Sequence, residues 1–445
     1  MLRKHARAGT GAALVATTLI ALNSCGGGGT SGGTGPSSAA PDAVIGTYSA
    51  GNTVFSSIRK GRFSHDGAQY IVVSAWTSNG STTAPDAPVK VYKLNADGTA
   101  VDATAAILGP DQTASANYPL IADFNGDGID DIFFAGFKDF PVGDWPSVVF
   151  LSRAGQSHRR VDLPDMTWSH GSTAADIDGN GSIDVINNNG QMWLNDGQGN
   201  FTFRDHSFSL NTSNGLWMHG SGVCVADFNN TGRKQVLITD LSVDSQAGPI
   251  ADTVIFELDS SLVPTNTRTL PVPVYDRATA TEVSHDFTCA VGDVNGDGLL
   301  DVMIFSRPLA SARNGVWTDE GLVQMLMNRG NWNFEDTTET AFAGYNRNVD
   351  ATYIPVLEDL NGDGTVDLWS GYFDWTTGKA NQAWVNNGSG VFTQVLKSEI
   401  DGLDSNGVAV PVKFGSSWAF VYSRRSPDGK TVTIYYTQPR FTFSQ

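Results

Sequence analysis

A nine-residue acidic stretch occurs four times: Asp123-Phe-Asn-Gly-Asp-Gly-Ile-Asp-Asp131, Asp176-Ile-Asp-Gly-Asn-Gly-Ser-Ile-Asp184, Asp293-Val-Asn-Gly-Asp-Gly-Leu-Leu-Asp301 and Asp359-Leu-Asn-Gly-Asp-Gly-Thr-Val-Asp367. Oxygen-bearing side chains fall at positions 1, 3, 5 and 9, and a glycine stands at position 6, where the backbone must turn sharply. That pattern suits a hard cation taking six to eight oxygens, so calcium is the expected guest at about four sites. Magnesium fits less well, because it wants a smaller, near-ideal octahedron and keeps more of its water. The candidate ligands are Asp123, Asn125, Asp127, Ile129 and Asp131; Asp176, Asp178, Asn180, Ser182 and Asp184; Asp293, Asn295, Asp297, Leu299 and Asp301; and Asp359, Asn361, Asp363, Thr365 and Asp367.

The start of each loop matches an EF-hand, but the bidentate Glu required at position 12 is replaced by Phe134, Asn187, Ile304 and Ser370. The residues after position 9 are also wrong for a helix. Ile132-Phe-Phe, Val185-Ile, Val302-Met-Ile-Phe and Leu368-Trp are short β-branched and aromatic runs bounded by turn residues. Each acidic loop therefore joins two strands.

The loops recur with a period. Asp123 and Asp176 are 53 residues apart, and a degenerate copy at Asp227-Phe-Asn-Asn-Thr-Gly-Arg-Lys-Gln235 comes 51 later. Asp293 and Asp359 each come after a further 66, and a weaker echo, Arg62-Phe-Ser-His-Asp-Gly-Ala-Gln-Tyr70, precedes Asp123 by 61. A last strand-like segment, Trp418-Ala-Phe-Val-Tyr422, has no acidic loop, which makes seven units. Thr231 and Gln235 replace two ligands in the fourth unit, so little or no cation is expected there.

These loops resemble the FG-GAP or VCBS repeats of integrin alpha-chain heads and of many secreted bacterial proteins, over roughly residues 50–445. The resemblance implies an all-β chain, a seven-bladed β-propeller of four-stranded antiparallel blades, with calcium held between the first and second strands. Units of this length independently fit four-stranded blades with long loops.

At the N-terminus, Arg3, Lys4 and Arg7 precede an apolar run from Ala12 to Leu22, too short for a resident membrane span. Residues 1–24 read as a secretory signal ending in Leu22-Asn-Ser-Cys25, which resembles a bacterial lipobox and makes Cys25 the lipidated residue. Gly26 comes next, without the Asp that retains lipoproteins at the inner membrane, so the outer membrane is expected. Residues 25–42 form the lipidated Cys and a Gly/Ser tether, and residues 43–445 the propeller domain.

A formal charge of −18 argues against nucleic acid or anionic membrane as partner, leaving the lipid as the membrane contact. A monomer is expected. Cys224 and Cys289 lie three and four residues before their loops. That offset by one residue points to opposite sheet faces, and buried free thiols are the expectation.

Up-and-down strands put the acidic loops on one face of the ring and the starts of the first strands on the other. His170, His219 and His285 recur at those starts, six to eight residues before a loop Asp, about 20 to 26 Å away. They are candidates for ligand contact or acid–base work rather than cation ligands. Trp76, Trp145, Trp168, Trp217, Trp317 and Trp375 map to the same face, where exposed indoles suit stacking on sugars or anchoring a protein.

The leading expectation is a lipid-anchored envelope propeller that binds a glycan or protein ligand on this face. The alternative is a polysaccharide lyase or sugar dehydratase, as in similar propellers, with one of the histidines as base and Arg307 or Arg313 neutralising a substrate carboxylate. No nucleophile motif or complete catalytic constellation supports an enzyme, and a structural envelope role is the third reading.

Overall fold

The computed structural model describes residues 15–16, 42–50, 54–77, 87–110, 112–114, 118–139, 143–164, 169, 171–205, 220–240, 253–271, 284–308, 322–342, 354–371, 381–396, 399–400, 403 and 409–443. Seven antiparallel sheets succeed one another along the chain. Blade 1 contains Val54–Gly61, Gln69–Thr77, Ala87–Leu94 and Ala100–Asp102. Blade 2 contains Pro119–Ala122, Asp131–Phe134, Val148–Arg153 and Gln156–Asp162; blade 3 contains Ser172–Ala175, Asp184–Asn187, Met192–Asn195 and Phe201–Arg204. Blade 4 runs through Gly220–Ala226, Gln235–Asp240, Val254–Leu258 and Pro264–Thr269, and blade 5 through Ser284–Gly292, Asp301–Pro308, Leu322–Asn328 and Phe334–Asp336. Blade 6 has Ile354–Glu358, Asp367–Gly371, Gln382–Asn386 and Phe392–Gln394.

Blade 7 closes the ring. Its strands Ala409–Phe414, Ser417–Arg425 and Thr431–Tyr436 take the N-terminal strand Ala43–Ser49 as their fourth, with Ala43 opposite Tyr436 and Ser49 opposite Thr431. Pairing the two ends of the chain in one sheet covers the outer edge that Thr431–Tyr436 would otherwise expose. Near the C-terminus Phe441 bridges to Trp418 and packs into the core.

Each strand alternates its side chains between two neighbouring blades, so the core is a series of inter-blade layers. In blade 4, Val236, Ile238, Val254 and Phe256 pack toward Ile186 and Met192 of blade 3. Leu237 and Ile255 pack the other way, against Val302, Ile304 and Leu326 of blade 5.

This layering corrects the expectation for the cysteines: Cys224 and Cys289 form a disulfide, with Cα atoms 6.2 Å apart. The one-residue offset does put them on opposite faces of their own blades. In a ring, however, the trailing face of one blade meets the leading face of the next, so opposite faces are the ones that touch. Both cysteines accordingly lie in the layer between blades 4 and 5.

A second inter-blade fastener comes from three asparagines. Asn195, Asn328 and Asn386 end the third strands of blades 3, 5 and 6. Each side-chain Nδ2 donates to a carbonyl of the preceding blade: Phe124 at 2.7 Å, Phe228 at 2.8 Å and Val294 at 2.7 Å. The same amide group donates to its own blade at Ile183, Leu300 and Val366. In blade 7 the indole of Trp418 takes this role, donating to Leu360 of blade 6 at 2.7 Å.

Candidate functional site

The four intact loops share one geometry. In the first, Asp123 Oδ1 accepts the N–H groups of Gly126 at 2.7 Å and Asp127 at 3.1 Å, while Oδ2 accepts that of Gly128 at 2.8 Å. This wrapping requires left-handed backbone at positions 4 and 6, where Gly126 has φ +75° and Gly128 φ +84°. The glycine at position 4 is thus as necessary as the one at position 6. The bonds from positions 4 and 6 to the first Asp repeat at Asp176, Asp293 and Asp359.

The position 9 aspartates are buried. Asp131, Asp184, Asp301 and Asp367 each accept through Oδ2 the N–H of position 2, at 2.7 to 3.0 Å. Through Oδ1 each accepts the N–H of Ser152, Asn195, Asn328 or Asn386 on the third strand, at 2.6 to 2.8 Å. One carboxylate therefore ties a loop to two strands. Burial pushes Asp131, Asp184 and Asp301 up to about 6, against the hydrogen bonds that pull the other way, and raises Asp367 as well.

The donor set is that of a hard cation: carboxylate and amide oxygens at positions 1, 3, 5 and 9 plus the backbone oxygen of position 7. In the blade 3 loop, Asp176, Asp178 and Asp184 bring one carboxylate oxygen each to within 4.8 Å of one another. The residues fit calcium, which would neutralise the clustered carboxylates and stiffen the corner.

Two loops instead carry internal substitutes. In blade 4, Gln235 Oε1 accepts the Phe228 N–H at 2.7 Å, as an aspartate would, but its Nε2 donates to the Arg233 carbonyl at 2.7 Å. Position 7 is thereby satisfied by a neutral amide. Trp332 of blade 5 closes over the same loop, its indole N–H 2.7 Å from the Asn229 carboxamide oxygen. In blade 1, Asp66 at position 5 binds Lys93 Nζ at 2.7 Å and the Tyr70 hydroxyl at 2.8 Å, so an ammonium stands beside the one acidic group of that loop.

Of the residues expected on the opposite face, His170, His219, Trp168, Trp217, Trp317, Trp375 and Arg313 lie outside the described residues. Trp145 ends a short hairpin strand, Gly143–Trp145, paired with Phe137–Asp139. His285 and Arg307 are direct backbone partners in the first two strands of blade 5. Next to His285, the buried Asp286 accepts hydrogen bonds from Ser306 and Thr253, both at 2.6 Å.

Trp76 is half-buried rather than held out on a loop. It packs on Phe55 at 6.0 Å and edge-on to Tyr118 at 5.8 Å between ring centres. Two polar features of the inner strands have no counterpart in the sequence pattern. Lys60 of blade 1 reaches across blade 7 to Glu358 of blade 6, with both carboxylate oxygens within 2.8 Å. Arg59, beside it, lies over Tyr118.

Fold and loops together define a β-propeller whose blades are built on a repeated acidic corner. The FG-GAP-like repeat family matches residues 62–134 and 123–186, which run from the second strand of blade 1 through blade 2 to the start of blade 3. Among solved structures, the chain is similar to the exotype rhamnogalacturonan lyase YesX, at 14% identity over 92% of this chain and 77% of that one, with a TM-score of 0.43. A rhamnogalacturonan lyase of Bacillus licheniformis matches at 13% identity over 90% and 74%, TM-score 0.37. A glycoside hydrolase matches at 7% identity over 88% and 90%, TM-score 0.33. No curated protein matches the chain.

Proposed function

We propose that this chain is an exported, calcium-stiffened propeller of the bacterial envelope, held at the outer membrane through lipid on Cys25, that binds a glycan or protein ligand on the face opposite the acidic loops. The observation that carries the ligand face is Trp76, partly exposed and packed between the buried Phe55 and the half-buried Tyr118. An indole held by two further rings is a rigid surface for a sugar or a protein side chain. The Cys224–Cys289 disulfide supports export, since such bonds persist in oxidising compartments. Titrating the protein with neutral and acidic polysaccharides and with envelope extracts, while monitoring tryptophan emission, tests the reading. A saturable shift is expected, and an unchanged spectrum with every ligand contradicts it.

One observation favours a lyase as the second reading. His285 and Arg307, the base and the carboxylate partner that such chemistry needs, are opposite each other in register. Absorbance near 235 nm during incubation with uronate polysaccharides separates the two, because elimination leaves a conjugated double bond and binding alone does not.

A further inference from the structure

Among the described residues, Arg59 is a half-buried cation without an anion. Its Nη1 donates to the carbonyl of Ile58 at 3.0 Å, and its guanidinium carbon lies 5.4 Å from the centre of the Tyr118 ring. No carboxylate pairs with it among the described residues, although Lys60 beside it has Glu358 at 2.6 Å and Lys93 has Asp66 at 2.7 Å. A guanidinium presents five N–H donors in a planar fork, and a fork taken from water without a partner is costly. Burial accordingly pushes Arg59 below its ordinary value, with Tyr118 opposing.

Its position joins it to the ligand face. Arg59 stands three residues before Arg62 and Tyr118 five before Asp123, so the side chain runs up the inner strand away from the acidic loops. Tyr118 touches Trp76, Trp76 stacks on Phe55, and the guanidinium of Arg425 in blade 7 lies 4.9 Å from the Phe55 ring centre. A row of three rings thus has a guanidinium at each end.

Building on the reading of this face as a ligand site, we propose that Arg59 is its anion anchor and that the ligand is a carboxylated sugar, a hexuronate. The sugar ring would lie along Trp76 while its carboxylate takes the open fork of Arg59. A ring that itself carries a carboxylate matches an aromatic surface lying a few ångströms from the Arg59 guanidinium. The formal charge of −18 repels anions at long range, but this field is screened beyond about 8 Å at physiological salt. A carboxylate in direct contact with the Arg59 fork is therefore not opposed by the distant charges.

The test compares the full-length protein with Arg59→Met and Arg59→Lys. Each is titrated with galacturonate oligosaccharides, neutral galactose oligosaccharides and an oligo-glutamate peptide by tryptophan emission and calorimetry. The wild type is expected to prefer the uronate by about tenfold. Arg59→Met should erase the preference while leaving neutral-sugar binding intact, and Arg59→Lys should recover part of it. Without ligand, Arg59→Met should melt no lower than the wild type, because it removes an unpaired cation. A lower melt with the preference intact would make Arg59 structural and overturn the proposal. Equal binding of neutral and acidic sugars by the wild type would overturn the anchor while the face itself stands, and binding of the peptide alone would overturn the ligand class. Absence of any binding would remove the ligand face and the anchor together.

Discussion

At position 9 the side chain of the fourth loop differs in kind from those of the four intact loops. An aspartate there offers only acceptors, whereas Gln235 supplies an N–H of its own to the Arg233 carbonyl. Changing Thr231 and Gln235 together to Asp should therefore add one bound calcium per chain, counted by calorimetry against the wild type. An unchanged count would show that the loop backbone of blade 4, not its side chains, excludes the ion.

The same aspartates set a pH dependence. Since burial raises Asp131, Asp184 and Asp301 to about 6, the metal-free folded state holds more protons than the unfolded state between roughly pH 4 and 6. Metal-free stability should thus rise as pH falls through that window, while calcium, which requires the ionised form, competes with the incoming protons. The gap in melting temperature between calcium-loaded and chelated protein should be wide at pH 7 and narrow at pH 5. A gap independent of pH would contradict this. Spacing alone marked these residues as ligands. Their burial and their bonds to the third strand were not legible, because the third-strand partner lies 11 residues from Asp184 but 27 from Asp301.

Among the elements, the third-strand ends carry more than the hairpin signal that the sequence shows. In Trp193-Leu-Asn-Asp-Gly and Trp384-Val-Asn-Asn-Gly, turn-like in composition, the first Asn turns its amide back to the neighbouring blade. The signal that would have found it is the repeated Asn-x-Gly: Asn195 before Gly197, Asn328 before Gly330 and Asn386 before Gly388. Each Asn Oδ1 also accepts the N–H of that glycine. Asn195→Ala strands the carbonyls of Phe124 and Ile183 and two glycine N–H groups in a buried setting. Loss of about 2 to 4 kcal/mol is expected, read as a lower urea midpoint at unchanged slope. A change under about 0.5 kcal/mol, the range of ordinary surface substitutions, would show the staple to be incidental.

For the whole molecule, the seven-unit count, the four-stranded blades and the loop-to-strand transitions were legible because the acidic loop punctuates the chain at nearly regular intervals. The disulfide was misjudged. A one-residue offset describes a face within one sheet, whereas the bond depends on how two sheets meet. The disulfide closes 65 residues of chain between blades 4 and 5, beside the loop that has its own amide in place of a ligand. Replacing Cys224 and Cys289 by Ser should cost up to about 4 kcal/mol by the chain-entropy relation. The loss should appear equally with and without calcium, since Asp227 and Gln235 offer an incomplete site. A loss that vanishes on adding calcium would contradict that independence.

The faces, the inner strands and the proposed ligand mouth are all located by reference to the four intact corners, so whether those corners bind ions, and how many, is the most direct test. Equilibrium dialysis of the full-length protein against calcium, with metal content measured per chain and melting temperature tracked in parallel, should give four ions and a lower melt on chelation. Zero ions, or a count of four with an unchanged melt after removal, would contradict the role of these corners as the fasteners of the ring.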